Sequence, residues 1–149
     1  MTLEDKINAE IKQAMLAKDT DKLTALRAIK AAILLLKTDK SGNAVTPEVE
    51  ISLLQRLIKQ RKEAADIYKS QNRDDLYNEE MNQVSVIETF LPEQISEDEV
   101  KQIIKRIISE SGATSIKEMG KVIGLASKEL AGKTENKTIA NIVKELLNN

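Results

Sequence analysis

Apolar residues recur three and four positions apart along nearly the whole chain, the spacing of helices that bury one face, and no stretch alternates as a strand does. Leu3, Ile7, Ile11 and Met15 line a first helix that begins after Thr2, with Asp5 at capping-box spacing, and reaches about Lys18. Asp19 or Thr20 caps a second, carried by Leu23, Leu26, Ile29, Ile33 and Leu36 to Lys37 and forming a hairpin with the first. The polar, turn-forming residues 38–45 then read as a loop. Thr46-Pro47-Glu48 is a strong helix start: a capping hydroxyl, a proline where no amide hydrogen is needed, and an acid at the positive end of the dipole. The long third helix carries Ile51, Leu54, Leu57, Ile58, Ala65 and Tyr68 to about Gln71. A fourth, through Leu76, Tyr77, Met81, Val84 and Ile87, is predicted to stop at Leu91, where Pro92 disfavours helical geometry.

Residues 92–95 form a connector, and Ser96 with Glu99 starts a fifth helix whose inner face is Val100, Ile103, Ile104, Ile107 and Ile108 and which ends before Gly112. Ser115 with Glu118 starts a sixth, holding Ile116, Met119, Ile123 and Leu130 and ending at Gly132. The seventh runs over residues 137–147, with Ile139, Ile142, Val143, Leu146 and Leu147 inward. The predicted fold class is all-α: an N-terminal four-helix domain over residues 1–92, followed by a small C-terminal three-helix bundle over residues 93–149.

Composition narrows the chemistry. The 149 residues are 41% hydrophobic and 32% charged, within the range of folded globular chains. There is no cysteine and no histidine, which excludes disulfides, thiolate nucleophiles, Cys- or His-ligated zinc and imidazole general bases. A net charge of −1 supplies no global field to attract nucleic acid or an anionic membrane, so any such binding needs a local patch. No stretch reaches the ~18 apolar residues of a membrane span, and residues 1–14 lack the apolar core of a signal peptide, so the expected compartment is the cytoplasm, away from the membrane.

Four local features remain. Gly132-Lys133-Thr134 looks like the end of a phosphate-binding loop, but Ser127 stands where the motif's first glycine belongs and a helix precedes it, so it reads as a helix end and a turn. Gly120 and Gly124 share a helix face without side chains, where either a neighbouring helix or a ligand can come close; internal packing is the simpler expectation. Lys121, Lys128, Lys133 and Lys137 lie on or near that segment and are the candidate nucleic-acid contacts, against the plain alternative of a solvated face. In the long helix, Arg56, Lys59 and Lys62 approximate one basic stripe, a candidate protein-partner surface or a solubilising ladder with Glu63 and Asp66. The 24 acidic residues include no pair placed for acid–base work, so no catalytic residue, metal ligand or cofactor is assigned.

The stretches Phe90–Val100 and Lys117–Gly124, in that order along the chain, resemble the GatB/YqeY group of small bacterial proteins. Phe90-Leu-Pro-Glu-Gln-Ile-Ser-Glu-Asp-Glu-Val100 is similar to that family's aromatic-Leu-Pro-x-Gln-Leu-Ser-acidic linker. Lys117-Glu-Met-Gly-Lys-Val-Ile-Gly124, followed by Gly132-Lys133, is similar to its Asp-Met-Gly-Lys-Val-Met pattern and later glycine-basic turn. Leu26-Arg27 and Lys59-Gln60-Arg61-Lys62 also resemble its N-terminal signatures, and Glu118 and Gly124 depart from the usual Asp and Lys. The resemblance implies a C-terminal domain like the tail of the GatB subunit of the glutamine-dependent aspartyl/glutamyl-tRNA amidotransferase. In that enzyme the tail contacts tRNA while chemistry proceeds elsewhere. The implied partners are tRNA or amidotransferase subunits. A non-catalytic binding module is the preferred reading; the alternatives are a component of tRNA amidation, with the family's label of carbon–nitrogen ligase activity using glutamine as amido-N-donor, and a protein-interaction scaffold.

Overall fold

In the computed structural model, residues 1–39 and 45–148 are described, and among them the regular structure is all helical. The elements are α1 (Leu3–Ala17), α2 (Thr20–Thr38), α3 (Pro47–Ser70), α4 (Asp74–Glu88), α5 (Glu97–Ser111), α6 (Met119–Glu129) and α7 (Asn136–Leu147), with one 3-10 turn at Ile116–Glu118. Contacts divide them into two compact units, Met1–Leu91 and Pro92–Asn149. The predicted loop falls largely on residues 40–44, outside the described residues.

In the first unit α1 packs on α2, α2 on α4, and α4 on α3. Ile7, Leu26, Ile29, Ile33, Leu54 and Ile87 are fully buried between them, and each such aliphatic side chain stabilises by about 1.5–3 kcal/mol relative to exposure. The helix starts follow capping chemistry. Thr2 and Asp5 form the capping box, Asp19 Oδ1 accepts from the Lys22 amide at 3.1 Å, and Thr46 Oγ1 accepts from the Val49 amide at 3.3 Å. A further orphan donor of α1, the Leu3 amide, is satisfied from α3 by Glu50 Oε2 at 2.8 Å.

The fourth helix starts within the break that residues 72–75 offer, and it ends earlier than expected. It begins at Asp74, where Arg73 supplies no side-chain cap and instead grips Asp75 through two hydrogen bonds of 3.2 and 3.1 Å. It ends at Glu88, three residues short of Leu91. The amides of Thr89, Phe90 and Leu91 each bond the carbonyl three residues back, so the chain tightens out of the α-helix before Pro92 forces it to.

In the second unit α5, α6 and α7 pack pairwise around Val100, Ile104, Val122, Ala126, Ile139 and Val143. Ser96 Oγ accepts from the Glu99 amide at 3.2 Å and starts α5, and Gly112 ends it with φ 72°, a left-handed turn that glycine takes without strain. The sixth helix is shorter than predicted. Its first turn is the 3-10 segment, and it closes at Glu129 rather than Gly132, because Leu130 turns into the core and the Lys133 amide bonds back to the Leu130 carbonyl at 2.9 Å. Gly132, at φ 76°, lies in the resulting turn. Ile116, expected to face inward, is 41% exposed on the 3-10 turn.

Candidate nucleic-acid interface

The core sets the direction of every side chain on α6. Val122 and Ala126 are buried, with Met119 and Ile123 packed beside them. At 100° per residue the opposite side is Gly120, Lys121, Gly124, Leu125 and Lys128, and all five are exposed. Lys121 and Lys128 are two turns apart, about 10 Å along the axis, with Gly124 between them.

The expectation that a neighbouring helix closes on the glycines is overturned. A Cβ built at Gly120 or Gly124 meets nothing within 4 Å, because α5 and α7 approach α6 from the Val122 side. Each glycine still costs about 1 kcal/mol of helix stability relative to alanine. Among the described residues no packing contact at either glycine offsets that cost.

Lys133 and Lys137, also exposed, belong to the turn after α6 and the first turn of α7. With Lys128 in the last turn of α6, three of the four predicted lysines gather along the path from α6 into α7, and Lys121 lies further along α6. None of the four takes part in a salt bridge among the described residues. Two nearby acids, by contrast, are engaged. Glu118 Oε2 accepts from the Thr114 amide at 2.6 Å. Glu129 binds the Arg106 guanidinium, which also holds Glu110 at 3.1 Å; these two carboxylates, Glu129 first, raise the Arg106 pKa above its ordinary value. The first turn of α7 contains no acid, while Glu135 at the cap places a carboxylate at the positive end of that helix. An open groove of about 350 Å³ passes Arg106, Leu125 and Lys128 between α5 and α6. Flexible ammonium groups around a side-chain-poor face are suited to a phosphate backbone, which carries charge without demanding fixed geometry.

Two features here escaped sequence reasoning. Leu125, 45% exposed, puts an apolar group between the lysines; its position on the helix wheel, outside the buried arc, was the available signal. Gln94 in the connector reaches the turn after α6: its Nε2 donates to the Gly132 carbonyl at 2.6 Å and to the Pro92 carbonyl at 3.1 Å, while the Ile95 amide donates to the Lys133 carbonyl at 3.1 Å.

The basic run of α3 does not stay together. Arg56 and Lys59 are exposed, whereas Lys62 is half-buried with Nζ 4.0 Å from Glu88 Oε1 on α4. Arg61 also turns toward α4, donating from Nε to Gln83 Oε1 at 2.8 Å. The outward stripe is thus Arg56 and Lys59, without Lys62.

Among the described residues no polar or charged residue is buried, no group of three or more potential ligands could hold a metal ion, and no helix is long and apolar enough to cross a membrane.

The chain is similar to proteins called Altered inheritance of mitochondria protein 41, mitochondrial. It is 26% identical to the Pyrenophora tritici-repentis protein over 133 residues, covering 86% of this chain and 71% of that protein. Against the Kluyveromyces lactis protein it is 28% identical over 141 residues, covering 93% and 72%. The match to the protein of Saccharomyces cerevisiae strain YJM789 is 28% over 104 residues, 68% of this chain and just 56% of the relative. A family model described as Yqey-like protein matches residues 4–147, which takes in both helical units, and the chain therefore belongs to the YqeY-like family.

Proposed function

We propose that this protein is a non-catalytic binding module for tRNA, acting beside an amidotransferase in the cytoplasm, with residues 93–149 as the RNA-facing domain and residues 1–92 as a separate helical domain. The single observation that carries the reading is the outward side of α6, where, among the described residues, Lys121 and Lys128 flank Gly124 with no salt bridge and nothing within 4 Å of a Cβ built at either glycine. Lys133 and Lys137 extend the same charge toward α7. No charged side chain among the described residues is buried, which supports binding over chemistry, since acid–base and nucleophilic groups are activated by burial and close partners. The relatives' names place those proteins in mitochondria; for this chain the cytoplasm is part of the proposal.

The test is a titration of tRNA with purified protein across a range of salt. Binding that weakens as salt rises, and falls further in Lys121→Glu/Lys128→Glu, is the expected result. No binding at low salt, or affinity indifferent to that charge reversal, overturns the reading. The same sample, assayed for ammonia release from glutamine and for tRNA amidation, separates it from the ligase alternative: sustained turnover would place chemistry in this chain. Capture of a protein partner dependent on Arg56 and Lys59, in nuclease-treated extract, would favour a scaffold.

A further inference from the structure

The connector and the lysine turn are one structure. Both partners of Gln94 Nε2 are carbonyl oxygens, so its amide faces them with the nitrogen, and its two hydrogens are both in use. The neighbouring Ile95 amide holds the next carbonyl of the turn, that of Lys133, and Ile95 itself packs on the core of the second unit. Lys133 is then fixed from both sides: its amide donates back to Leu130 and its carbonyl accepts from the connector. Gly132, buried at positive φ, lets the chain make this corner. A long exposed side chain on a backbone so held loses less freedom on meeting a ligand than one on a loose turn.

We propose that Gln94 is a positioning residue that clamps the Gly132–Lys133 turn and so presents Lys133 to a phosphate of the bound nucleic acid, making affinity depend on the conformation of the connector. This rests on the phosphate-binding reading above. Gln94 itself makes no contact with the ligand.

The test uses the full chain carrying Gln94→Ala, Gln94→Met, Lys133→Ala and the double change Gln94→Ala/Lys133→Ala, each titrated with tRNA at several salt concentrations. Methionine keeps the length of glutamine and removes its donors. Losing one phosphate contact weakens binding about five- to eightfold at ~0.1 M salt and lowers the salt slope by a little under one. The expected result is that Gln94→Ala and Gln94→Met reproduce both changes although neither removes a charge, and that the double variant binds like Lys133→Ala alone. Amide exchange of Ile95 should quicken in both Gln94 variants while that of Ile104 in the core stays unchanged. If the wild-type protein binds tRNA and the Gln94 variants keep its slope, or the two losses add, the proposal fails and the phosphate reading stands. If the wild-type protein binds no tRNA, the phosphate reading fails and takes the proposal with it; the Ile95 exchange then reports on the clamp alone.

Discussion

Both units pair some cations and leave others without a salt bridge among the described residues, Lys12, Lys18, Lys30 and Lys59 in the first included; what differs is where the unpaired ones stand. In the first, cations tie helices together: Lys22 reaches Glu10 at 2.9 Å across the α1–α2 hairpin, Lys37 pairs with Glu4, and Lys62 approaches Glu88 between α3 and α4. In the second, Lys101 and Arg106 serve this purpose, but Lys121, Lys128, Lys133 and Lys137 do not. Surface ion pairs contribute about 0–1 kcal/mol each, so the contrast says little about stability. It bears on availability. A lysine already beside a carboxylate must give up that partner to meet a phosphate, whereas one without a partner meets it at no such cost, and Lys121 and Lys128 share the outward side of α6 with the two glycines.

The harshest way to sharpen this comparison is to damage each core in turn. Leu54→Ala in the first unit and Ile104→Ala in the second remove fully buried side chains, and each should cost about 2–5 kcal/mol by chemical denaturation. Only Ile104→Ala should also weaken tRNA binding under conditions where the variant is half-unfolded. Equal loss from Leu54→Ala would mean that the first unit contributes contacts of its own. Next in size is the charge itself. Lys121→Ala and Lys128→Ala should each reduce affinity by several-fold and the salt slope by about one, whereas Lys22→Ala should leave both unchanged; a matching response from Lys22→Ala would erase the distinction between paired and unpaired lysines.

Helix starts were legible because they rest on local chemistry. Thr2, Thr46 and Ser96 each accept the backbone hydrogen bond that their residue type and position foretold, and of the two caps open to α2 it is Asp19 that accepts. The side of α6 that carries the lysines could likewise be read from helical angles once its buried residues were known. Three things could not. Which flank of α6 its neighbours occupy depends on how α5 and α7 cross it, and this decided against close packing at Gly120 and Gly124. The Gln94–Gly132 bond joins positions 38 apart, beyond any local pattern. Lys62 left its stripe because α4 places Glu88 nearby, a tertiary fact that helical spacing within α3 does not contain.

The glycines give a smaller effect whose sign is the test. Were they packing sites, alanine there would collide and destabilise; with nothing within 4 Å, Gly120→Ala and Gly124→Ala should each stabilise the protein by about 0.5–1 kcal/mol, since alanine restricts the unfolded chain and favours the helix. Thermal denaturation measures this directly. A gain in stability accompanied by weaker tRNA binding would mean that the bare face serves the ligand. Destabilisation by either alanine would show that α6 has a close neighbour after all.

The smallest effect concerns acid, and it again separates the units. Asp5 is held below the usual carboxylate range, first by the Thr2 backbone amide and then by the Thr2 hydroxyl; Asp75 is lowered first by the Arg73 guanidinium and then by the Leu76 backbone amide. A carboxyl whose folded pKa lies below its unfolded value, near ~3.9, contributes stability above that value and loses it as pH falls through the folded pKa. Both groups sit in the first turns of helices in the first unit, α1 and α4. Among the described residues of the second unit the shifted group is Arg106, whose pKa is raised, so it stays charged throughout this range and contributes no acid-linked loss. Backbone amides followed by NMR from pH 5 to pH 2.5 should therefore show the starts of α1 and α4 loosening as the two carboxyls take up protons. Asp5→Asn and Asp75→Asn should flatten that response, each at its own helix. Both carboxyls are exposed, so the loss should be modest and should shrink as salt screens the Arg73–Asp75 pair. A pH response at α1 and α4 left intact by both asparagine variants would assign it to other groups and remove this distinction between the two units.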